Sequence, residues 1–91
     1  MAKNPLGKSR TEDEPYAIFN AGHFEWRVLK TYKLAKNEEG DPYARWFLAA
    51  KSEYTHGSFE LGDGYSKDIW EHGVLTYASP EFMEAYDLQL N

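Results

Sequence analysis

The chain contains 91 residues, of which 42% are hydrophobic and 16% aromatic, and it carries a formal net charge of −5. This length predicts a single small domain with a limited core, and the lack of cysteine excludes both a disulfide framework and a thiolate metal site. No run approaches about 18 consecutive apolar residues, so no helix is expected to cross a membrane, and we predict a cytoplasmic protein.

Residues 1–14 form a polar beginning, rich in basic, acidic and small residues. Such a composition buries too little apolar surface to offset the entropy of ordering. We therefore expect a disordered tail over residues 1–14 and one folded domain over residues 15–91. The basic residues at the start are not followed by an apolar segment, which argues against a signal peptide.

After a short predicted strand at residues 16–19, the sequence predicts one long β-hairpin. Its arms are residues 24–34 and 43–52, joined by a polar loop. Polar and apolar residues alternate along the first arm, as is typical of a half-buried strand. Strict alternation places Tyr32 on the same face as Trp26. The core is expected to contain the apolar side chains of both arms: Phe24, Trp26, Val28, Trp46, Leu48 and Ala50.

The last third of the chain predicts two short helices and two short strands. A strand is expected near residues 58–62, and Gly62-Asp63-Gly64 then predicts a strand-to-helix turn. Asp63 or Ser66 is the predicted cap of the first helix, which Gly73 ends. A strand at residues 74–78 and a helix that begins at Ser79-Pro80 complete the prediction. The fold class is therefore α+β: an antiparallel sheet built on a long β-hairpin, with two short C-terminal helices on one face.

No motif in the chain carries a recognised chemistry. His56, Glu60 and His72 do not have the spacing of a metal-binding pair, and no nucleophile elbow or phosphate loop is present. We therefore expect a non-enzymatic protein without a metal or a cofactor.

The second hairpin arm is apolar on both faces, which predicts a binding function. Basic and aromatic residues interleave on the face that the core does not use. The candidate binding residues of the two arms are Arg27, Lys33, Tyr43, Arg45, Phe47 and Lys51. Such a face suits a protein partner or, as an alternative, single-stranded nucleic acid. In a competing hypothesis, the C-terminal helix or a second copy of the chain covers it.

The negative charge is concentrated near the C-terminus. Residues 1–52 have nine basic and seven acidic residues, a net of +2, and residues 53–91 have one basic and eight acidic residues, a net of −7. This half can attract a basic partner or act as a mimic of nucleic acid. The candidate acidic surface comprises Glu60, Asp63, Asp68, Glu71, Glu81, Glu84 and Asp87.

Several motifs carry a resemblance to a group of viral proteins. They are Pro42-Tyr-Ala-Arg-Trp-Phe47, Tyr54-Thr-His-Gly-Ser58, Leu61-Gly-Asp63 and Tyr65. Over about half of its length the chain resembles small uncharacterised proteins encoded by actinobacterial phages. The resemblance implies an accessory phage product that acts in the host cytoplasm and binds a host protein. The leading hypothesis is accordingly binding to a host protein, with a homodimer as a second possibility and nucleic acid as a third.

Overall fold

The computed structural model describes residues 6–32 and 45–88. These residues contain five strands, two α-helices and a 3₁₀ turn at Glu53–Thr55. The strands are β1 (Ala17–Ala21), β2 (Phe24–Thr31), β3 (Arg45–Ser52), β4 (Glu60–Tyr65) and β5 (Val74–Ala78), and the helices are α1 (Ser66–His72) and α2 (Pro80–Tyr86). The predicted α+β class, with an antiparallel sheet and two short helices, is confirmed.

The strands form one antiparallel sheet in the order β4-β3-β2-β1-β5. The first four strands make a meander, and β5 returns to pair with β1. In the central hairpin Val28 pairs with Leu48 and Trp26 with Ala50, so these side chains share one face, as the apolar pattern predicted. No helix in the described part of the chain is long and apolar enough to cross a membrane.

One side of the sheet, the closed face, carries the core and both helices. Phe19 of β1 and Trp46 of β3 are completely buried there, and they pack against Ile69 of α1 and Phe82 of α2. The second helix begins as predicted: the Ser79 hydroxyl accepts a hydrogen bond from the Phe82 N–H at 3.2 Å. This cap satisfies one of the free amide groups of the first turn.

A β-bulge in β2 corrects the predicted faces of the first hairpin arm. The register with β3 shifts between Val28 and Lys30, so Leu29 is an additional residue in the strand. Beyond a bulge the alternation of side chains reverses relative to the partner strand. Thr31 therefore points to the closed face beside its partner Trp46, and Tyr32, predicted to share the face of Trp26, lies on the opposite side.

Residues 6–14 also differ from the prediction of a disordered tail. Leu6 is completely buried in the core cluster, and its carbonyl accepts a hydrogen bond from the Thr31 N–H at 2.9 Å. The Arg10 N–H donates to the carbonyl of Leu29 at 2.8 Å, so the segment pairs with backbone groups around the bulge. Composition did not reveal these partners because a bulge cannot be read from residue types. The predicted tail at residues 1–5 lies outside the described residues.

The predicted turn at Gly62-Asp63-Gly64 is wrong, because all three residues lie within β4. Helix α1 begins at Ser66, and neither Asp63 nor Ser66 caps it, because its N-cap is Tyr65, which makes no side-chain cap hydrogen bond. Glycine at position 64 allows close packing and does not form a turn, because a Cβ at this position would lie 2.7 Å from Cδ1 of Leu48.

Candidate protein-interaction face

The sheet has a second side, the open face, on which neither α-helix packs. Strand pairing shows which residues share it, because directly paired residues point to the same side. Arg45 pairs with Tyr65, and Phe47 pairs with Asp63 on β4 and Lys30 on β2. The further residues of this face on the three strands are Glu25, Arg27, Ala49, Lys51 and Leu61.

A cluster of four side chains lies at one end of this face. The Asp63 carboxylate accepts a hydrogen bond from the Tyr32 hydroxyl at 3.0 Å and lies 3.4 Å from Nη2 of Arg45. The Arg45 guanidinium also lies 5.5 Å from the centre of the Tyr65 ring, within cation–π range. The two tyrosines are 50% and 56% exposed. We call Tyr32, Arg45, Asp63 and Tyr65 the tyrosine cluster.

Asp63 also affects the ionisation of Tyr32. The hydrogen bond that the hydroxyl donates to this carboxylate raises the pKa of Tyr32 above its usual value. Desolvation and the negative charge of Asp63 act in the same direction, and Arg45 opposes them. The contributions of Asp63 and of desolvation outweigh that of Arg45 and favour the protonated hydroxyl, so Tyr32 remains a hydrogen-bond donor across the physiological pH range.

A second group of cations surrounds Phe59. The Arg27 guanidinium and the Lys51 ammonium lie 5.1 Å and 5.5 Å from the centre of its ring. Nε of Arg27 also lies 2.8 Å from the Glu25 carboxylate, and its Nη1 donates a hydrogen bond to the carbonyl of Glu12. Ala49, which pairs with Arg27, is completely buried. This end of the open face is therefore partly covered by the chain itself.

Four of the six predicted binding residues share the open face: Arg27, Arg45, Phe47 and Lys51. The other two, Lys33 and Tyr43, lie outside the described residues. Sequence reasoning missed Tyr32, Phe59 and Tyr65. Tyr32 was missed because the bulge changes the face on which it lies. Tyr65 could have been predicted from the alternation of Leu61, Asp63 and Tyr65 along one strand.

The predicted covering of the Phe47 side by the C-terminal helix is wrong. Phe82 of α2 packs with Trp46, whose side chain points away from that of Phe47 in the same strand. Both helices therefore lie on the closed face. Covering by a second copy of the chain stays a prediction.

The predicted acidic residues are divided between the two sides of the sheet. Asp63 lies on the open face, whereas Glu81 of α2 pairs with Arg10 and Glu71 of α1 lies 3.9 Å from Lys67. A hydrogen bond from the backbone N–H of Glu81 and, to a smaller extent, the hydrogen bond from Arg10 lower the pKa of the Glu81 carboxyl. The remaining members are the exposed side chains of Glu60, Asp68, Glu84 and Asp87.

Asp68, Glu71 and His72 offer three metal-ligand atoms within 4.8 Å of one another on α1. All three side chains are exposed, and the described residues bring no fourth ligand to them. Exposed acidic groups of this kind are common without a bound ion. We therefore assign no metal to this cluster.

Comparison of the chain with family models, with curated proteins and with solved structures found no match. Function must therefore be inferred from the geometry and chemistry of the chain itself. The resemblance to proteins of actinobacterial phages stays a prediction.

Proposed function

We propose that this chain is a non-enzymatic protein-binding module and that its partner docks on the tyrosine cluster of the open face. The observation that carries the proposal is the fixed arrangement of two half-exposed tyrosines and an arginine on a sheet face that the helices leave uncovered. Tyrosine and arginine are the residues most enriched at the energetic centres of protein interfaces, because each combines a large apolar surface with a polar group.

Asp63 gives this cluster its order before any partner arrives. Its two carboxylate oxygens are engaged by different side chains, Tyr32 and Arg45, and Arg45 in turn lies against the ring of Tyr65. Immobilising a flexible side chain on association costs about 0.5–1.5 kcal/mol. Side chains that are already held before association lose less rotational freedom, so this cost is smaller for them. The arrangement therefore favours binding without a large ordering cost.

The charges favour a protein over single-stranded nucleic acid. A phosphate that approached Arg27 or Arg45 would compete with the carboxylates of Glu25 and Asp63 that already lie beside them. Among the described residues of this face, Lys30 and Lys51 lie against the rings of Tyr32 and Phe59 and have no carboxylate partner. Two such lysines supply little of the electrostatic affinity on which nucleic-acid binding depends.

The arrangement of the acidic residues gives less support to the hypothesis that the chain mimics nucleic acid than to the proposal of a protein-binding face. Such a mimic requires a row of uncompensated carboxylates on one surface, and Asp63 and Glu81 are paired with arginines on opposite sides of the sheet. The sequence resemblance supplies the context of the leading proposal instead: the partner is a protein of the host bacterium, and the chain acts in the host cytoplasm.

The test compares matched tyrosine variants in an affinity capture from host lysate, with and without nuclease. The first variant, Tyr65→Ala, alters the cluster. The control variant, Tyr54→Ala, alters a more exposed tyrosine in the turn after β3, at the far end of that strand from Arg45. We expect a nuclease-resistant protein to bind the wild type and Tyr54→Ala but not Tyr65→Ala. With the purified partner, calorimetry should show a loss of about 1–4 kcal/mol for Tyr65→Ala or Arg45→Ala.

Three results would overturn the proposal. Equal capture by both tyrosine variants would place the interface elsewhere. Capture that disappears with nuclease, together with salt-sensitive binding of labelled single strands, would favour nucleic acid. A dimer in sedimentation experiments that dissociates in Tyr65→Ala would identify a second copy as the occupant of the face.

A further inference from the structure

Strand β4 forms one edge of the sheet and offers backbone groups for pairing. It pairs only with β3 in the described part of the chain, and five of its six residues are exposed. In an antiparallel pair, alternate residues direct their N–H and C=O groups away from the partner strand. An exposed edge of this kind is a template to which a further strand can be added.

A groove of about 300 Å³ lies beside this edge, on the helix side of the sheet. Its apolar floor includes Trp26, Leu48 and Ile69. The groove is open because Gly62 has no side chain, and a Cβ at this position would meet no atom within 4 Å. A volume at the small end of the range of ligand sites suits one apolar side chain better than a whole cofactor.

Three acidic residues line the groove; Asp63 is paired with Arg45, whereas the carboxylates of Glu60 and Asp68 border the apolar floor. Both side chains are exposed, and no cation among the described residues lies within salt-bridge distance of either. The groove therefore combines an apolar centre with two negative ends. This distribution of charge is complementary to an apolar side chain that is flanked by cations.

We infer that the β4 edge and its groove bind an extended peptide of the pattern basic–x–apolar–x–basic. The peptide adds to β4 as a sixth strand, so its residues at positions i, i+2 and i+4 point to the same side of the sheet. When the central apolar residue lies beside Gly62, its side chain enters the space above Leu48. The basic residues on either side then reach Glu60 and Asp68.

A second copy of this chain is a poor occupant of the same edge. Pairing of two β4 strands would place the groove of one chain, with the carboxylates of Glu60 and Asp68, beside the same acidic groove of the other. Like charges on adjacent strands are destabilising, and the net charge of −5 on each chain adds to the repulsion. The charge of the strand thus disfavours self-association and favours a basic peptide.

This inference goes beyond the proposed function and does not depend on it. The groove lies mainly on the helix side of β4, and although Asp63 and Tyr65 line it as well, the other two residues of the tyrosine cluster, Tyr32 and Arg45, do not. Variants of Tyr32 or Arg45 are therefore expected to leave peptide binding at β4 unchanged. The hypotheses about the two sites can therefore be tested separately, and either can be refuted while the other holds.

The experiment screens the full chain against capped nonapeptides that are randomised at their five central positions. We expect enrichment of an apolar residue at the centre and of Lys or Arg two positions away on each side. An enriched peptide is then titrated by fluorescence anisotropy and by amide NMR. Its binding should shift the amide resonances of β4 and the indole resonance of Trp26.

Two pairs of variants locate the site. Gly62→Val adds a side chain where a Cβ meets no atom within 4 Å, and valine suits a strand, so it should weaken binding by about tenfold or more. Its control is Val74→Thr, at an exposed position of β5 on the opposite edge of the sheet, which should change affinity by less than about twofold. Glu60→Lys should weaken binding most at low salt. Its control is Glu84→Lys, which reverses an exposed charge on α2.

Circular dichroism establishes that each variant is folded, and the charge reversals decide the outcome if Gly62→Val does not fold. The inference is overturned by enrichment without the predicted pattern, or by full affinity of folded Gly62→Val and of Glu60→Lys. Amide shifts confined to other strands, or a dimer that forms through β4, would overturn it as well.

Discussion

The closed and open faces of this sheet use aromatic rings in different ways. On the closed face, rings contact rings: the centroids of Phe19 and Phe82 lie 5.8 Å and 5.7 Å from that of Trp46. On the open face, rings contact cations, as Phe59 does with Arg27 at 5.1 Å. Ring–ring packing removes apolar surface from water and stabilises the fold, whereas cation–π contacts orient rings that stay at the surface.

Strand β3 contributes to both faces with adjacent residues. Trp46 is completely buried on the closed face, and Phe47, the next residue, is half-buried on the open face. The comparison therefore predicts that substitutions on the closed face reduce stability, whereas those on the open face reduce binding and leave the fold intact.

The largest expected effect is that of Trp46→Ala. This change removes a ring that contacts those of Phe19, Trp70, Phe82 and Tyr86, and it leaves a cavity at the centre of the core. Urea denaturation should show a loss of about 3–5 kcal/mol in the free energy of unfolding. The neighbouring variant Phe47→Ala should lose about 1 kcal/mol or less. Similar losses for the two variants would contradict the division between the faces.

Alkaline pH should destabilise the closed face through Tyr86. Burial raises the pKa of Tyr86 to about 12, although the hydrogen bond that its hydroxyl accepts from Nε1 of Trp46 opposes the shift. The unfolded chain loses this proton near pH 10, whereas the folded chain keeps it until about pH 12. The contribution to stability is therefore fully present below pH 10 and is lost as the pH rises through 12, a change of about 2–3 kcal/mol.

The control for this pH dependence is Tyr86→Phe, which has no group to ionise at that position. Urea denaturation of both proteins at pH 9 and at pH 11.5 separates Tyr86 from the other tyrosines and the lysines. The wild type should lose more stability than the variant over this interval. Parallel losses would mean that Tyr86 ionises equally easily in the folded and unfolded chains.

A third comparison uses two glycines. A Cβ at Gly73 would lie 2.8 Å from the carbonyl oxygen of Ile69 and 3.1 Å from Cβ of Phe19, and a backbone atom cannot easily move away. Gly73→Ala should therefore lower the free energy of unfolding by about 1–3 kcal/mol. Gly62→Ala, where a Cβ meets no atom, should be neutral or slightly stabilising. Thermal melts of both variants would show the difference, and equal melting temperatures would refute it.

The closed face was largely predictable because successive side chains of a strand alternate between the two faces of the sheet. The apolar pattern of the hairpin arms predicted that Val28 and Leu48 share the core face, and Ser79-Pro80 predicted the start of α2. These features depend on local residue types, which the sequence displays directly. The predicted α+β class followed from the same signals.

The open face was only partly predictable because its composition depends on an irregularity. One additional residue at Leu29 moves Tyr32 from the predicted core face to the tyrosine cluster. The bulge is stabilised by Leu6 and Arg10, which lie 25 and 19 residues before their hydrogen-bond partners Thr31 and Leu29, so no local pattern indicates it. Partners as distant in sequence as Tyr32 and Asp63 require the register of three strands to be known.

The smallest change in stability, and the most specific test of the open face, is expected for Asp63→Asn. The variant removes the carboxylate whose hydrogen bond and charge raise the pKa of Tyr32, so this pKa should fall towards the ordinary value of about 10. NMR titration of the tyrosine ring carbons measures the shift directly. The melting temperature at neutral pH should stay close to that of the wild type, because Asp63 is exposed and lies outside the core.

Asp63→Asn also tests whether the tyrosine cluster is ordered before it binds. Without the negative charge, Arg45 loses its ionic partner, and Tyr32 and Tyr65 are no longer connected through one side chain. Binding of the partner protein should then weaken although both tyrosines and the arginine are still present, because they must be ordered during association. An unchanged pKa of Tyr32 together with unchanged affinity would show that Asp63 does not organise the cluster, and each binding side chain would then act independently.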